Sequence, residues 1–241
     1  MSADAIFTKE NLDFYFKELA KEFRRLNGKT MKAEIILTGG AAILVNYGFR
    51  AMTYDVDALI HATSVIKEAI NHTGDKLGLP NGWLNSDFVH TRSYSPKISE
   101  YSQYYKTFSN ILTVRTISGE YLIAMKLMAG REYKNDLSDI VGILYEQEQR
   151  RSPLSLEQIQ TAAANLYGSW ETLPESSREF LERIFNSGDI QKLYEVYREQ
   201  EKRNREALLE FEEQYPHVAN NDNVGDILKK LKEKKKADRE R

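Results

Sequence analysis

Apolar positions recur at helical spacing from Asn11 to Asn27, where Leu12, Phe14, Leu19, Phe23 and Leu26 sit among Lys, Glu and Arg. This predicts an opening amphipathic helix that Gly28 ends. The period then changes. Ala33 to Thr38 is a short apolar run of strand character, broken at Gly39-Gly40, and Ala41 to Tyr47 resumes as a small-residue helix ending near Gly48. From Asp55 to Ile60 polar and apolar residues alternate, so a strand there sends Asp55 and Asp57 to one face and Val56 to the other. Thr63 to Leu77 reads as a helix and Gly78-Leu79-Pro80-Asn81-Gly82 as a turn before Trp83-Leu84-Asn85. Phe88 to Tyr105 is polar and rich in Tyr, with Pro96 interrupting it.

Ile111 to Ile117 predicts another strand, and Ser118-Gly119 leads into a helix from about Glu120 to Gly130. Arg131 to Gln149 continues as a second helix with Asp136 and Asp139 on one face. Beyond Arg150 the pattern is helical only: Ser155 to Tyr167, Pro174 to Phe185 and Asp189 to Tyr215, each opened by a residue suited to a helix N-terminus. The last carries a thin apolar seam of Ile190, Leu193, Tyr194, Tyr197, Leu208, Leu209 and Phe211, fitting a packing arm or a partner-binding helix. Asn220 to Asn223 is a polar hinge before a basic helix from Ile227 to about Lys236. The expected fold class is α+β over residues 1–149, followed by a helical region over 150–219 and a hinge and basic tail over 220–241.

Composition narrows the chemistry. The 241 residues are 41% hydrophobic and contain no cysteine, so thiolate nucleophiles and Cys-based metal sites are excluded. No stretch approaches the ~20 apolar residues of a membrane span, and the N-terminus lacks a secretory pattern, so a cytoplasmic protein without membrane contact is expected. The formal charge of −2 conceals an asymmetry: Lys229 to Arg241 holds eight basic and three acidic residues, leaving −7 on the first 228. Such a tail suits phosphate contacts with nucleic acid, or is simply a solvated end.

The strongest candidate chemistry lies in the order strand, Thr38, Gly39-Gly40, short helix, Arg50, Thr53 and then Asp55-x-Asp57. Glycines at a helix N-terminus let backbone N–H groups approach phosphate oxygens, where the helix dipole adds positive potential. Two carboxylates on one strand face offer hard oxygen ligands to Mg²⁺ or Mn²⁺, ions that also bind substrate phosphates. Each half alone has an ordinary reading, a tight turn or a solvated acidic pair; together they point to metal-assisted phosphoryl or nucleotidyl transfer. There is no GxxxxGK[ST] and no GxGxxG, and the four His lack zinc-site spacing.

These residues resemble the polymerase-β-like nucleotidyltransferase superfamily, whose pattern is Gly-[Gly/Ser] followed about ten residues later by Asp-x-[Asp/Glu]. Leu37 to Ala42 and Gly48 to Asp57 look most like the uncharacterised bacterial branch related to AbiEii-type toxins, as do Gly78 to Asn85 and Lys126-Leu127-Met128-Ala129-Gly130-Arg131 with Lys134 to Ile140. The resemblance spans about residues 33–145. It implies a mixed sheet flanked by helices, an NTP substrate and Mg²⁺ held by Asp55 and Asp57. It further implies Thr38, Gly39, Gly40, Arg50, Thr53 and Arg131 as nucleotide contacts, and Lys126 as a phosphate contact or a base. Asp136 and Asp139 would fix the lysine or complete the site. RNA is an implied acceptor, reached through the basic tail, and an antitoxin-like protein or a second copy of the chain is an implied partner.

Two departures stand out. The family's common Ser after the first Gly is Gly40 here, and Ile111 to Ile117 carries no third carboxylate. A catalytically degenerate binding protein with the same fold is therefore the competing expectation. Ordinary alternatives also stay open for Lys126, which can snorkel to solvent, and for Asp136 and Asp139, which can form an exposed salt-bridged face.

Overall fold

The computed structural model describes residues 6–130, 136–215, 218 and 226–231. Thr8 caps the first helix, α1 (Lys9–Asn27), through a reciprocal capping box with Asn11, and its apolar stripe of Leu12, Phe16, Leu19 and Phe23 is buried, whereas Phe14, expected on that stripe, is exposed because it lies two residues off the Leu12–Phe16 face. Strand β1 (Ala33–Leu37) follows, then helix α2 (Gly39–Asn46), strand β2 (Val56–His61) and helix α3 (Val65–Leu77). A two-residue strand β3 (Leu84–Asn85) and short 3₁₀ turns over Asp87–His90 and Pro96–Ser99 lead to β4 (Ser102–Phe108), β5 (Leu112–Ile117) and helix α4 (Gly119–Ala129). Helices α5 (Asp136–Gln149), α6 (Leu156–Tyr167), α7 (Glu175–Ser187) and α8 (Ile190–Gln214) complete the named elements.

The five strands form one mixed sheet in the order β3-β2-β1-β5-β4. Central β1 runs antiparallel to β2 and parallel to β5, and Leu37 pairs with Ala58, which sets the end of β1 beside the start of β2. Helices α1 and α3 pack together, while α4 packs with α2, α5 and α6. Buried apolar residues from Phe7 to Ile184 form one cluster that includes α6 and α7. The expected α+β class and mixed sheet are found, with no strand after Arg150 among the described residues.

Strand β4 is the element that the residue pattern does not announce. It is an edge strand whose interior, Gln103 to Thr107, is exposed or half-buried, so there is no apolar alternation to read. Its identity comes from pairing with β5, through a register shift between Tyr104 and Lys106. The first half of the α8 seam, Ile190 to Tyr197, resolves as packing: Tyr194 stacks on Tyr145 at 4.7 Å between centroids, Tyr197 meets Phe180 edge-on, and Ser138 donates to Glu201. The side chain of Leu209, the hinge at 220–223 and the tail from Lys232 onward lie outside the described residues; residues 226–231 are helical, with Leu228 buried. No helix among the described residues is long and apolar enough to cross a membrane.

Candidate active site

The site forms where β1 hands over to α2. Thr38 is buried, and its N–H donates to the Asp57 carbonyl at 2.9 Å while its hydroxyl reaches the same oxygen at 3.2 Å. This double link fastens the glycine turn to β2. Gly39 has φ +52°, in the left-handed region that an L side chain resists, and a Cβ there would lie 3.5 Å from the Asp57 carboxylate. The first turn of α2 and Asp57 are therefore immediate neighbours.

Gly40 is required for a different reason. A Cβ at this position would meet the Thr53 hydroxyl at 2.7 Å and the Arg50 guanidinium at 3.1 Å. The space that the family's serine side chain would need is filled by Thr53 and Arg50, which explains the departure noted in the sequence. Thr53 is itself pinned: its backbone pairs with Phe7 in both directions, at 2.8 and 2.9 Å, and its hydroxyl lies 3.4 Å from Asp55. Phe7 in turn is fully buried against Trp83 and Tyr15.

Asp55 precedes β2 and Asp57 lies within it, with Val56 between them fully buried. Both carboxylates line a cavity of about 310 Å³ together with Thr38, Gly39 and Lys126. A second set of lining residues comes from the segment after β3: Asn85, Asp87, Phe88, Thr91 and Ser93. Of these, Asp87, Thr91 and Ser93 escaped the sequence reading, because short polar turns carry no periodic signal that says which way they face. Leu122 and Met125 of α4 complete the lining.

Behind the cavity is a buried ion network. Lys126 Nζ lies 2.7 Å from Asp136 and 2.8 Å from Asp139, and Asp139 also receives Arg50 Nη1 at 2.7 and 2.9 Å. Both aspartates are buried, so neither forms an exposed salt-bridged face, and Lys126 does not snorkel to solvent. Burial alone would drive the Lys126 proton off, but the charges of Asp136 and Asp139 outweigh it against opposition from Arg50, and the pKa is raised. That is the opposite of what a base requires. Arg50 donates as well to the Met52 carbonyl, and so joins the Asp139 carboxylate to the loop that carries Thr53 and Asp55. Arg131 lies outside the described residues.

Trp83 packs rather than facing the cavity, its indole donating to the Ile70 carbonyl. Among the described residues no group of three or more His, Cys, Asp or Glu is arranged to hold a metal ion. Two carboxylates beside a turn of backbone donors still fit Mg²⁺, which takes one or two carboxylates and completes its shell with water and substrate phosphates.

The glycine turn, the paired carboxylates and the lysine thus share one cavity. Residues 15–168 match the family described as nucleotidyltransferase of unknown function (DUF6036). The chain belongs to that family. The match covers the whole sheet and helices α2 to α6, and supports membership of the nucleotidyltransferase superfamily. No curated protein and no solved structure gives a significant match.

Proposed function

We propose that the protein is a Mg²⁺- or Mn²⁺-dependent nucleotidyltransferase that moves a nucleoside monophosphate from an NTP to a hydroxyl or phosphate of an acceptor. The observation that carries this reading is the convergence of Gly39, Asp55, Asp57 and Lys126 on one cavity in a member of a nucleotidyltransferase family. The acceptor oxygen attacks the α-phosphorus, the bond to the β-phosphate bridge breaks, pyrophosphate leaves and the acceptor proton passes to solvent. Asp55 and Asp57 would hold the cation, which neutralises charge on the phosphates when bound. The first N–H groups of α2, at Gly39 and Gly40, donate to phosphate oxygens. Lys126, kept protonated by its carboxylates, supplies positive charge to the phosphates and takes no proton. Asp136, Asp139 and Arg50 position it, while Thr38 and Thr53 hold the turn and Asp55; Arg131 is proposed as a further nucleotide contact.

The resemblance to AbiEii-type toxins extends the proposal to RNA as acceptor, recruited by the basic tail in the cytoplasm, and to an antitoxin-like partner. A second reading, a nucleotidyltransferase fold that binds without catalysing, draws on the lack of a three-carboxylate group among the described residues. Incubation with labelled NTPs, Mg²⁺ and total RNA separates the two. Transfer by the wild type that disappears in Asp55→Asn/Asp57→Asn supports the enzyme. Equal transfer by both proteins refutes the site, and NTP-dependent stabilisation without any transfer favours the second reading.

A further inference from the structure

The segment after β3 is held too firmly to be an incidental rim. Ser86 donates to the Ala58 carbonyl of β2 at 2.8 Å, Tyr167 of α6 donates to the Ser93 carbonyl at 2.7 Å, and Ser95 donates to the Leu166 carbonyl at 2.7 Å. A cavity wall fixed from both the sheet and α6 is preorganised for a ligand.

Its hydrogen-bonding character follows from counting protons. Thr91 donates its only hydroxyl proton to the Phe88 carbonyl at 2.7 Å. In the 2.8 Å contact between the Thr91 and Ser93 hydroxyls, Ser93 must therefore be the donor. The Ser93 proton is then spent, and what it offers the cavity is lone pairs. Asp87 adds a carboxylate, whose oxygens accept. Asn85 uses its amide on the turn, accepting from Asp87 N–H at 2.9 Å and donating to the Gly82 carbonyl at 3.2 Å, and keeps one spare N–H. This side of the cavity is thus rich in acceptors, and a carbonyl or phosphate placed against it would face lone pairs. Phe88, Leu122 and Met125 provide apolar surface in the same cavity, suited to a flat ring.

Resting on the nucleotidyltransferase reading, we infer that Asp87, Thr91 and Ser93 form a subsite for the exocyclic amino group of a nucleobase, as in adenine or cytosine. The base can belong to the incoming nucleotide or to the acceptor strand. Replacing the amine by a carbonyl, as in inosine or uridine, exchanges an attractive contact for a repulsive one. A discrimination of about tenfold or more is expected.

The test measures matched pairs. In one arm, Mg²⁺-dependent binding of ATP is compared with ITP and of CTP with UTP. In the other, oligoadenylate is compared with oligoinosinate, and oligocytidylate with oligouridylate, as acceptors at fixed NTP. The expected result is an amine preference in one arm that identifies the source, and its collapse towards unity in Asp87→Ala/Ser93→Ala. Asp87→Ala alone, at an exposed position, covers the case in which the double variant does not fold. Binding of Mg²⁺-tripolyphosphate with no amine preference in either arm, or a preference that survives in the variants, overturns the subsite alone. Failure of both Mg²⁺-tripolyphosphate and all four NTPs to bind overturns the subsite together with the nucleotidyltransferase reading.

Discussion

Replacing Gly40 by alanine tests the packing of the site through the sign of a stability change. Gly40 lies in the first turn of α2, and its φ is not in the left-handed region. On helix propensity alone, Gly40→Ala would stabilise by up to about 1 kcal/mol. The structure predicts the reverse. The new Cβ would sit 2.7 Å from the Thr53 hydroxyl, about 0.7 Å inside the ordinary contact limit of 3.4 Å. Neither neighbour yields easily, because Thr53 is buried and paired to Phe7, and Arg50 is committed to Asp139 and the Met52 carbonyl. Overpacking of this kind costs about 1–3 kcal/mol, so after the propensity gain a net loss of about 1 kcal/mol is expected, or a fall in Tm of about 2–4 °C for a chain of this size. Thr53→Ala removes the obstructing oxygen at a cost of about 1 kcal/mol of its own. The double variant should lose about 1 kcal/mol less than the sum of the singles, measured by urea unfolding. A Gly40→Ala protein more stable than the wild type, or additive singles, would refute the interlock of Gly40, Thr53 and Arg50.

Lys126→Met removes the cation from a buried carboxylate pair and should destabilise by about 3 kcal/mol, seen as a lower urea midpoint with an unchanged slope. Because the wild-type lysine has a raised pKa, the stability that it brings is complete below its unfolded value near 10.4 and is lost only as pH rises through the folded value; any activity should therefore show no limb from Lys126 between pH 6 and 9 in a pH–rate profile. Gly142→Ala on α5 should displace Phe49, whose ring carbons lie 2.6–2.9 Å from the added Cβ, and the same shift should disturb Tyr194 on α8, giving a loss of about 1–3 kcal/mol and altered aromatic circular dichroism. The hydrogen bond from Arg25, aided by His72, holds the Glu22 carboxyl down to about 2, so its contribution is present above the usual carboxylate value and fades as pH falls towards 2; since Arg25 is largely exposed, Glu22→Gln should reduce stability at pH 5 by no more than about 0.5–1 kcal/mol and by less at pH 2.5, read by melting at the two pH values.

The sequence determined the local elements and the chemical inventory. Residues such as Leu12, Leu19 and Phe23 report a helix because burial on one face of a 3.6-residue repeat is a local property. Likewise, glycines followed by Asp55-x-Asp57 report a strand-turn-helix with two carboxylates, since every spacing involved is short. Tertiary structure decided whatever depends on distant partners. Strand β4 exists through its ladder to β5, and the orientation of Asp87 and Ser93 depends on bonds to β2 and α6 that their own neighbours do not encode. The state of Lys126 is the clearest case. Its place on an apolar helix was legible in the chain, but burial and charge pull its proton in opposite directions, and only Asp136 and Asp139, brought up from α5, outweigh burial and the repulsion of Arg50 so that it stays charged.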